Sequence, residues 1–465
     1  MPHMPPPAPV VPEPPRVAVL GGGLAGMAAA AAAAAHGLRV ELFEARPHLG
    51  GRAAAFVEPR TGQTLDRCQH VAMGCCTNFR QFCRQMGIEH CLRPPEGDYC
   101  FISADGRRWR FAAAPLLPAP LHLAPAVARL GFLTWRERGG VVRALGRLAN
   151  LRAETTDEPL GDWLVRQRQS PQAVRRFWSP IVESALCETV EHASLLAARK
   201  VFVAGFLGNA EAYKLIRPVG LGAALAQARQ RLEQGGVRVW LNQPVRRVAL
   251  DARRADALLC GEQLRCDFDF MILALPWWQA GQVLDEQGRE CVESLAGAAE
   301  LPPAPIAAVH LWFDQPLDVP AQAMLLERTS QWLFGFDGPY CQVVISAAHG
   351  VAARPPAEVV ATVCDELAAI WPASAGRLRH ARVVVNRRAV HALRPGAERL
   401  RPPQETAVPN LFLAGDWTAT DWPATMEGAI RSGYLAVEAI LRRLGRPARL
   451  VADDLPRSWL ARRWP

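Results

Sequence analysis

Val17-Ala18-Val19-Leu20 runs directly into Gly21-Gly22-Gly23-Leu24-Ala25-Gly26, and this junction constrains the chain more than any other stretch. Four successive apolar residues fit a strand buried on both faces of a parallel sheet, where the alternation of a half-exposed strand is lost. In Gly21-x-Gly23-x-x-Gly26 the first glycine permits a tight turn. The second lets backbone approach a pyrophosphate, and the third lets the next helix pack close to the strand. That helix is alanine from Ala28 to Ala35, the strongest helix former with the smallest side chain. Its free N–H groups and positive dipole end would face the phosphates. A second strand, Arg39-Val40-Glu41-Leu42-Phe43, ends at Glu44, 18 residues after Gly26. An acid near that spacing accepts the ribose hydroxyls of an adenosine.

A second phosphate-approach device follows in Ala45-Arg46-Pro47-His48-Leu49-Gly50-Gly51-Arg52, two glycines flanked by forked cationic donors. Asp66 and His70, four residues apart, are the first pair suited to proton transfer. A turn acid and an internally satisfied histidine remain the alternatives. Further buried strands are expected at Val237–Leu241, Phe270–Leu275 and Asn410–Leu413, with a β-ribbon from Val245 and a final helix from Met426 to about Leu444. Spacings of three and four from Leu160 to Val182 give a helical cap, and alternation over 306–346 gives a second sheet. The fold class is therefore α/β: a Rossmann-like domain assembled from 16–100, 211–276 and 401–445. Residues 101–210 and 277–400 form an interleaved α+β substrate domain with its helical cap. A proline-rich tail covers 1–15 and a C-terminal tail 446–465.

The net charge of +9 does not indicate nucleic acid, because all basic residues except Lys200 and Lys214 are arginine and no patch interleaves basic with aromatic residues. The twelve cysteines include no C-x-x-C pair, so no metal site is expected. With no secretion signal, the thiols are expected reduced in a cytoplasmic protein. Phe111 to Trp135 is apolar but broken by four prolines, which rules out a clean membrane span. It reads either as a buried loop and helix of the cap or as a segment that dips into a bilayer, a peripheral association. Arginines at 129, 136, 138, 143, 147 and 152 suit anionic headgroups.

The order of GxGxxG, Glu44, Gly50-Gly51-Arg52, the Val245 ribbon, Leu273-Ala274-Leu275-Pro276, Gly415-Asp416 and Met426-Glu427-Gly428 resembles the FAD-dependent amine oxidase and carotenoid desaturase superfamily. Gln69-His70-Val71, Val201 to Leu207 and Leu413 to Ala429 are most similar to its hydroxysqualene dehydroxylase branch. The resemblance implies noncovalent FAD. Gly21, Gly23, Leu24, Ala25 and Gly26 would lie on the pyrophosphate, and Glu44 and Ala45 at the ribose. Arg46, Gly50, Gly51 and Arg52 would line the diphosphate and flavin, and Val245 would meet the adenine. Ala274, Gly415 and Asp416 would border the ribitol, with Thr425 and Met426 at the pyrimidine edge. The chain departs from the branch at Asp66-Arg67-Cys68-Gln69-His70, where a small residue is usual after the acid, and at Ala185-Leu186-Cys187-Glu188-Thr189.

An amine oxidase of this superfamily usually carries a lysine near the flavin and a tyrosine before Met-Glu-Gly. Here no lysine follows Lys214, and Thr425 stands before Met426. The expected reaction is instead reductive removal of an allylic hydroxyl from a long isoprenoid in squalene and hopanoid synthesis, using an electron donor the sequence does not identify. Desaturation is the alternative, and amine oxidation ranks below both. An acid protonates the hydroxyl, water leaves, and hydride from reduced FAD reaches the allylic cation inside an apolar pocket. His70 is the expected acid, titrating near neutrality, with Asp66 orienting it and Asp421 as the substitute.

Overall fold

A computed structural model describes residues 13–93, 99–152, 154–251 and 254–465. Of the expected proline-rich tail, residues 1–12 lie outside the described residues.

Five short apolar segments form one parallel sheet, labelled here in chain order: β1 (Arg16–Leu20), β2 (Arg39–Phe43), β3 (Val237–Trp240), β4 (Phe270–Leu273) and β5 (Leu411–Leu413). Their order across the sheet is β3-β2-β1-β4-β5. Both faces are covered, which explains the unbroken hydrophobic runs. On one face lie the helices Leu24–Ala35, Thr77–Gln85, Leu221–Gln234 and Met426–Arg443. The other face carries the ribbon of Val245–Asp251, Arg254–Cys260 and Gln263–Arg265, with the short helices that follow β4. β1 to β2 is a direct crossover, whereas β4 and β5 are separated by 137 residues that supply five strands of the second sheet.

That sheet has seven strands, in the order Leu378–His391, Pro303–Phe313, Tyr340–Ile345, Trp332–Gly335, Gln322–Leu325, Tyr99–Ile102 and Arg108–Phe111. Its core on one side packs the helix Pro356–Ile370. On its other side the cap helices Trp135–Ala149, Ser179–Leu186 and Leu195–Phe202 enclose a separate aromatic cluster. Sequence periodicity does not show Leu378–His391, whose fourteen residues carry four arginines and two histidines. It forms because ten of its fourteen residues pair with Pro303–Phe313, an interaction invisible to local pattern.

The 446–465 segment is anchored along the body rather than trailing from it. Leu450 and Val451 donate their N–H groups to Glu438 Oε1, Ala452 N donates to Asn78 Oδ1 at 2.8 Å, and Ala461 is fully buried. No helix among the described residues is long and apolar enough to cross a membrane.

Candidate active site

The carboxyl ends of β1, β2, β4 and β5 meet at one edge, the position at which a doubly wound sheet binds its ligand. Backbone bonds lock the loops there together. Gly21 N donates to Phe43 O, Ala274 N to Leu20 O, Ala414 N to Leu273 O and Gly50 N to Gly22 O. The helix Leu24–Ala35 begins here with no side-chain cap and no acid in its first turn. The N–H groups of Leu24, Ala25 and Gly26 therefore lack intrahelical acceptors and point outward.

The glycines differ in what they permit. A Cβ on Gly26 would stand 1.9 Å from Gly21 O, so only glycine allows this helix to start against the turn. A Cβ on Gly23 would meet nothing within 4 Å, and one on Gly51 would lie 3.0 Å from Gly23 Cα. The Gly51 loop thus packs closely on the Gly23 backbone, and the open space lies where a Gly23 side chain would point, beside an uncapped helix. A diphosphate fits there.

Glu44 is buried and fixed by Gly22 N on Oε2 at 2.8 Å and Arg46 N on Oε1 at 2.9 Å. Each oxygen keeps a lone pair for a ribose hydroxyl. Gln243 N donates to Glu44 O and Asn242 N to Arg46 O, which ties the Glu44–Arg46 loop to the chain just ahead of Val245, the first residue of the ribbon. From the far side Arg52 Nη2 reaches buried Asp416 Oδ1 at 2.5 Å, and Arg52 Nη1 donates to Ala389 O at 2.6 Å. Burial alone would raise the Asp416 carboxyl. The charge and hydrogen bond of Arg52, helped by His391 and Arg401, outweigh it and hold the group below its ordinary range. Gly415 N donates to Ser432 Oγ of the last helix, whose first turn Thr425 caps by accepting from Gly428 N. Met426 opens that helix at the same edge. Every expected cofactor contact from Gly21 to Met426 thus comes from a loop or helix start of this one edge, the ribbon or the Arg52 loop, and the residues present fit FAD.

The three proton-transfer residues are placed differently from expectation. Asp66 does not orient His70: its carboxylate accepts from Leu221 N at 3.0 Å and Gly222 N at 2.8 Å, capping the helix Leu221–Gln234. Uncapped helix N–H groups are a stronger attraction for a carboxylate than one imidazole. Asp421 is a surface residue, its side chain 89% exposed and paired with Lys200 Nζ at 2.7 Å. His70 is partly buried beside the flavin-side loops, and burial with the Arg52 charge pushes it down to about 4. It is therefore neutral at pH 7. Its Nδ1 is enclosed with no hydrogen-bond partner.

Sequence reasoning missed what holds His70. Gln69 N donates to Gln342 Oε1 at 2.5 Å, and Gln69 Nε2 donates to His70 O at 2.8 Å and Pro218 O at 2.7 Å. Gln342 and Tyr340 in turn hydrogen-bond buried His310. The signal was present: His310 and Gln342 are polar residues inside otherwise apolar strands. Glu427 was also unassigned. Fully buried, it accepts from Asn78 N, Asn78 Nδ2, Phe79 N and Arg431 Nε, capping the helix Thr77–Gln85.

A family model for flavin containing amine oxidoreductases matches residues 24–441. The chain belongs to this family. It is an FAD-dependent oxidoreductase. As a flavin containing amine oxidoreductase it is 28% identical, over 92% of its length and 99% of the relative's, to a hydroxysqualene dehydroxylase of Sinorhizobium fredii. It is 25% identical to a 15-cis-phytoene desaturase of Solanum lycopersicum, over 92% of this chain and 78% of that one. The fold is shared with cyclohexylamine oxidase from Brevibacterium oxydans, with a TM-score of 0.70, 20% identity, and coverage of 93% of this chain and 100% of that one.

Proposed function

We propose that this chain acts on a long isoprenoid and reductively removes the allylic hydroxyl of hydroxysqualene to give squalene. One observation carries the reading. Between the second sheet and the cap lies a cavity with an entirely apolar lining and about 30 Å³ of free space, so a long chain can enter only where the side chains of this seam part. Its walls include the aromatic rings of Tyr99, Phe101, Phe111, Phe177, Phe202 and Phe206. Such a lining has no partner for the ammonium group of an amine. It suits a hydrocarbon, and its ring faces stabilise an allylic cation without offering a nucleophile to trap it.

Cys68, Val71 and Met73, which flank His70, pack against the same aromatic cluster. His70 Nδ1 is then the polar atom suited to meet a hydroxyl carried on an apolar chain. FAD, when bound and reduced by an external electron donor, would supply the hydride. Arg52, Asp416 and the glycine loops hold the cofactor. Asp66 caps the helix Leu221–Gln234 and has no part in the proton transfer. Because His70 is neutral at pH 7, proton delivery falls to the small fraction of protonated imidazole, and the rate should rise on acidification.

The phytoene desaturase relatives favour a second reading, oxidation of a polyene in the same cavity. One anaerobic experiment separates them. Chemically reduced enzyme is mixed with hydroxysqualene; flavin reoxidation with stoichiometric squalene is expected. Reduced flavin that stays inert, together with oxidised enzyme that bleaches on phytoene, would replace the dehydroxylase by the desaturase.

A further inference from the structure

Nine large hydrophobic residues are strongly exposed among the described residues, and five fall between 116 and 142: Leu116, Leu117, Leu121, Trp135 and Val142. Leu116 is 94% exposed. It lies on the loop joining Phe111 to Leu123, both of which line the apolar cavity. A sixth, Trp459, is 64% exposed and comes from the C-terminal segment. That segment is tied to the same loop, because Ser458 Oγ donates to Ala119 O while Ser458 N donates to Gly208 O. Its end is tied to the helix Trp135–Ala149, since Arg199 Nη2 donates to both Ala149 O and Pro465 O. The Ser458–Ala119 bond therefore sets exposed Trp459 next to the loop that carries Leu116, Leu117 and Leu121, an apolar crest on the segment between two residues of the cavity wall. Contiguous exposed apolar surface of this kind marks an interaction face.

The charge around the crest identifies its occupant. Arg462 and Arg463 are exposed on the C-terminal segment, which has no acid from 455 to 465. Arg129, Arg136, Arg143 and Arg147 are exposed on the neighbouring segment. Its one acid between 111 and 150, Glu137, is held by Thr134 N, Thr134 Oγ1 and Ser170 Oγ in the cap of its own helix. Leucine and tryptophan at a crest with arginine beside it is the composition of a surface that inserts at a headgroup boundary. A second protein surface would have to be strongly acidic as well as apolar to match it.

We infer that this face docks on an anionic lipid bilayer, with Leu116, Leu121 and Trp459 entering the boundary and the arginines on the headgroups. A substrate dissolved in the bilayer then reaches the cavity between Phe111 and Leu123 without crossing water. The second statement rests on the proposed isoprenoid substrate; the docking itself does not.

The test is flotation of FAD-loaded protein with vesicles. The wild type should float with phosphatidylcholine containing about one-third phosphatidylglycerol, should not float with phosphatidylcholine alone, and should be released by high salt. Trp459→Ala should lower partitioning about fivefold or more, and Leu116→Glu/Leu121→Glu and Arg462→Glu/Arg463→Glu each about 25-fold or more, from about fivefold per arginine and a similar or larger loss per buried apolar side chain. Their FAD content and melting temperature should stay at wild-type values. Absence of wild-type flotation, equal flotation on neutral vesicles, unchanged flotation of all three variants, or a dimer in solution that the Leu116→Glu/Leu121→Glu change dissolves would each overturn the inference. Flotation reads no turnover, so the two proposals fail separately. Protein that floats but leaves hydroxysqualene unchanged loses the proposed reaction. Protein that converts micellar hydroxysqualene but does not float loses the docking.

Discussion

Gly23→Ala and Gly26→Ala, three residues apart in one loop, should fail in opposite ways. At Gly26 the new methyl would stand 1.9 Å from Gly21 O and 3.2 Å from Ala274 Cβ. Restoring an ordinary 3.4 Å contact requires the turn to open by about 1.5 Å, in a loop locked by bonds to β2 and β4. Overpacking of this kind costs about 1–3 kcal/mol or more. At Gly23 the backbone lies at φ −75° and ψ −179°, which alanine adopts freely, and the methyl would meet nothing. The apoprotein should be unchanged or more stable by up to about 1 kcal/mol, through a less flexible unfolded chain. The methyl would occupy the space the cofactor's diphosphate needs. Loss of one close backbone contact with its hydrogen bond, about 1.5–3 kcal/mol for a charged acceptor, weakens FAD by roughly ten- to a hundredfold. Urea denaturation of both apoproteins and fluorescence titration with FAD measure the two quantities. Wild-type FAD affinity in Gly23→Ala, or wild-type stability in Gly26→Ala, would refute the placement of the diphosphate.

If His70 delivers the proton, single-turnover dehydroxylation should accelerate about tenfold per pH unit between pH 7 and pH 5, because only the form below about 4 is protonated. His70→Gln should flatten that profile while leaving bound FAD in place. Glu427→Ala should destabilise by about 1–3 kcal/mol in urea, since it strands the first N–H groups of a helix and leaves Arg431 with Asp454 as its one carboxylate partner, and Glu427→Gln should cost less. Thermal stability should fall between pH 6.5 and pH 4. Burial pushes His310 down to about 4 and His391 to about 3, so the unfolded chain takes up protons below 6.5 that the folded chain refuses. Each histidine accounts for up to about 3 kcal/mol at the acid end, and melting curves across that range would detect it.

The sequence alone determined the parts of this protein that depend on neighbours in the chain. The strand, the glycine turn and the alanine helix lie within twenty residues, and each position has a steric reason that requires no partner from elsewhere. Glu44 follows from the same unit, because β2 must lie beside β1 and its end then faces the turn. The apolar runs of β4 and β5 announce burial on both faces, and the Gly50-Gly51-Arg52 loop announces an anion. Cofactor chemistry was legible for this reason: it is written in short-range stereochemistry.

Tertiary structure alone decided the acid–base site. Asp66 and His70 are four residues apart, yet the acid is claimed by a helix 155 residues away, whose N–H groups cannot be seen from either residue. Asp421 looked like a site acid beside Gly415-Asp416, but it turns outward to Lys200. The charge state of His70 depends on burial and on Arg52, and its position depends on Gln342 and His310 from the second sheet. The C-terminal segment, expected to be a tail, is held to the body by bonds such as those from Ser458 to the remote carbonyls of Ala119 and Gly208. Protonation and exposure are set by the full three-dimensional environment, and a linear chain does not specify that environment until long-range packing has brought it together.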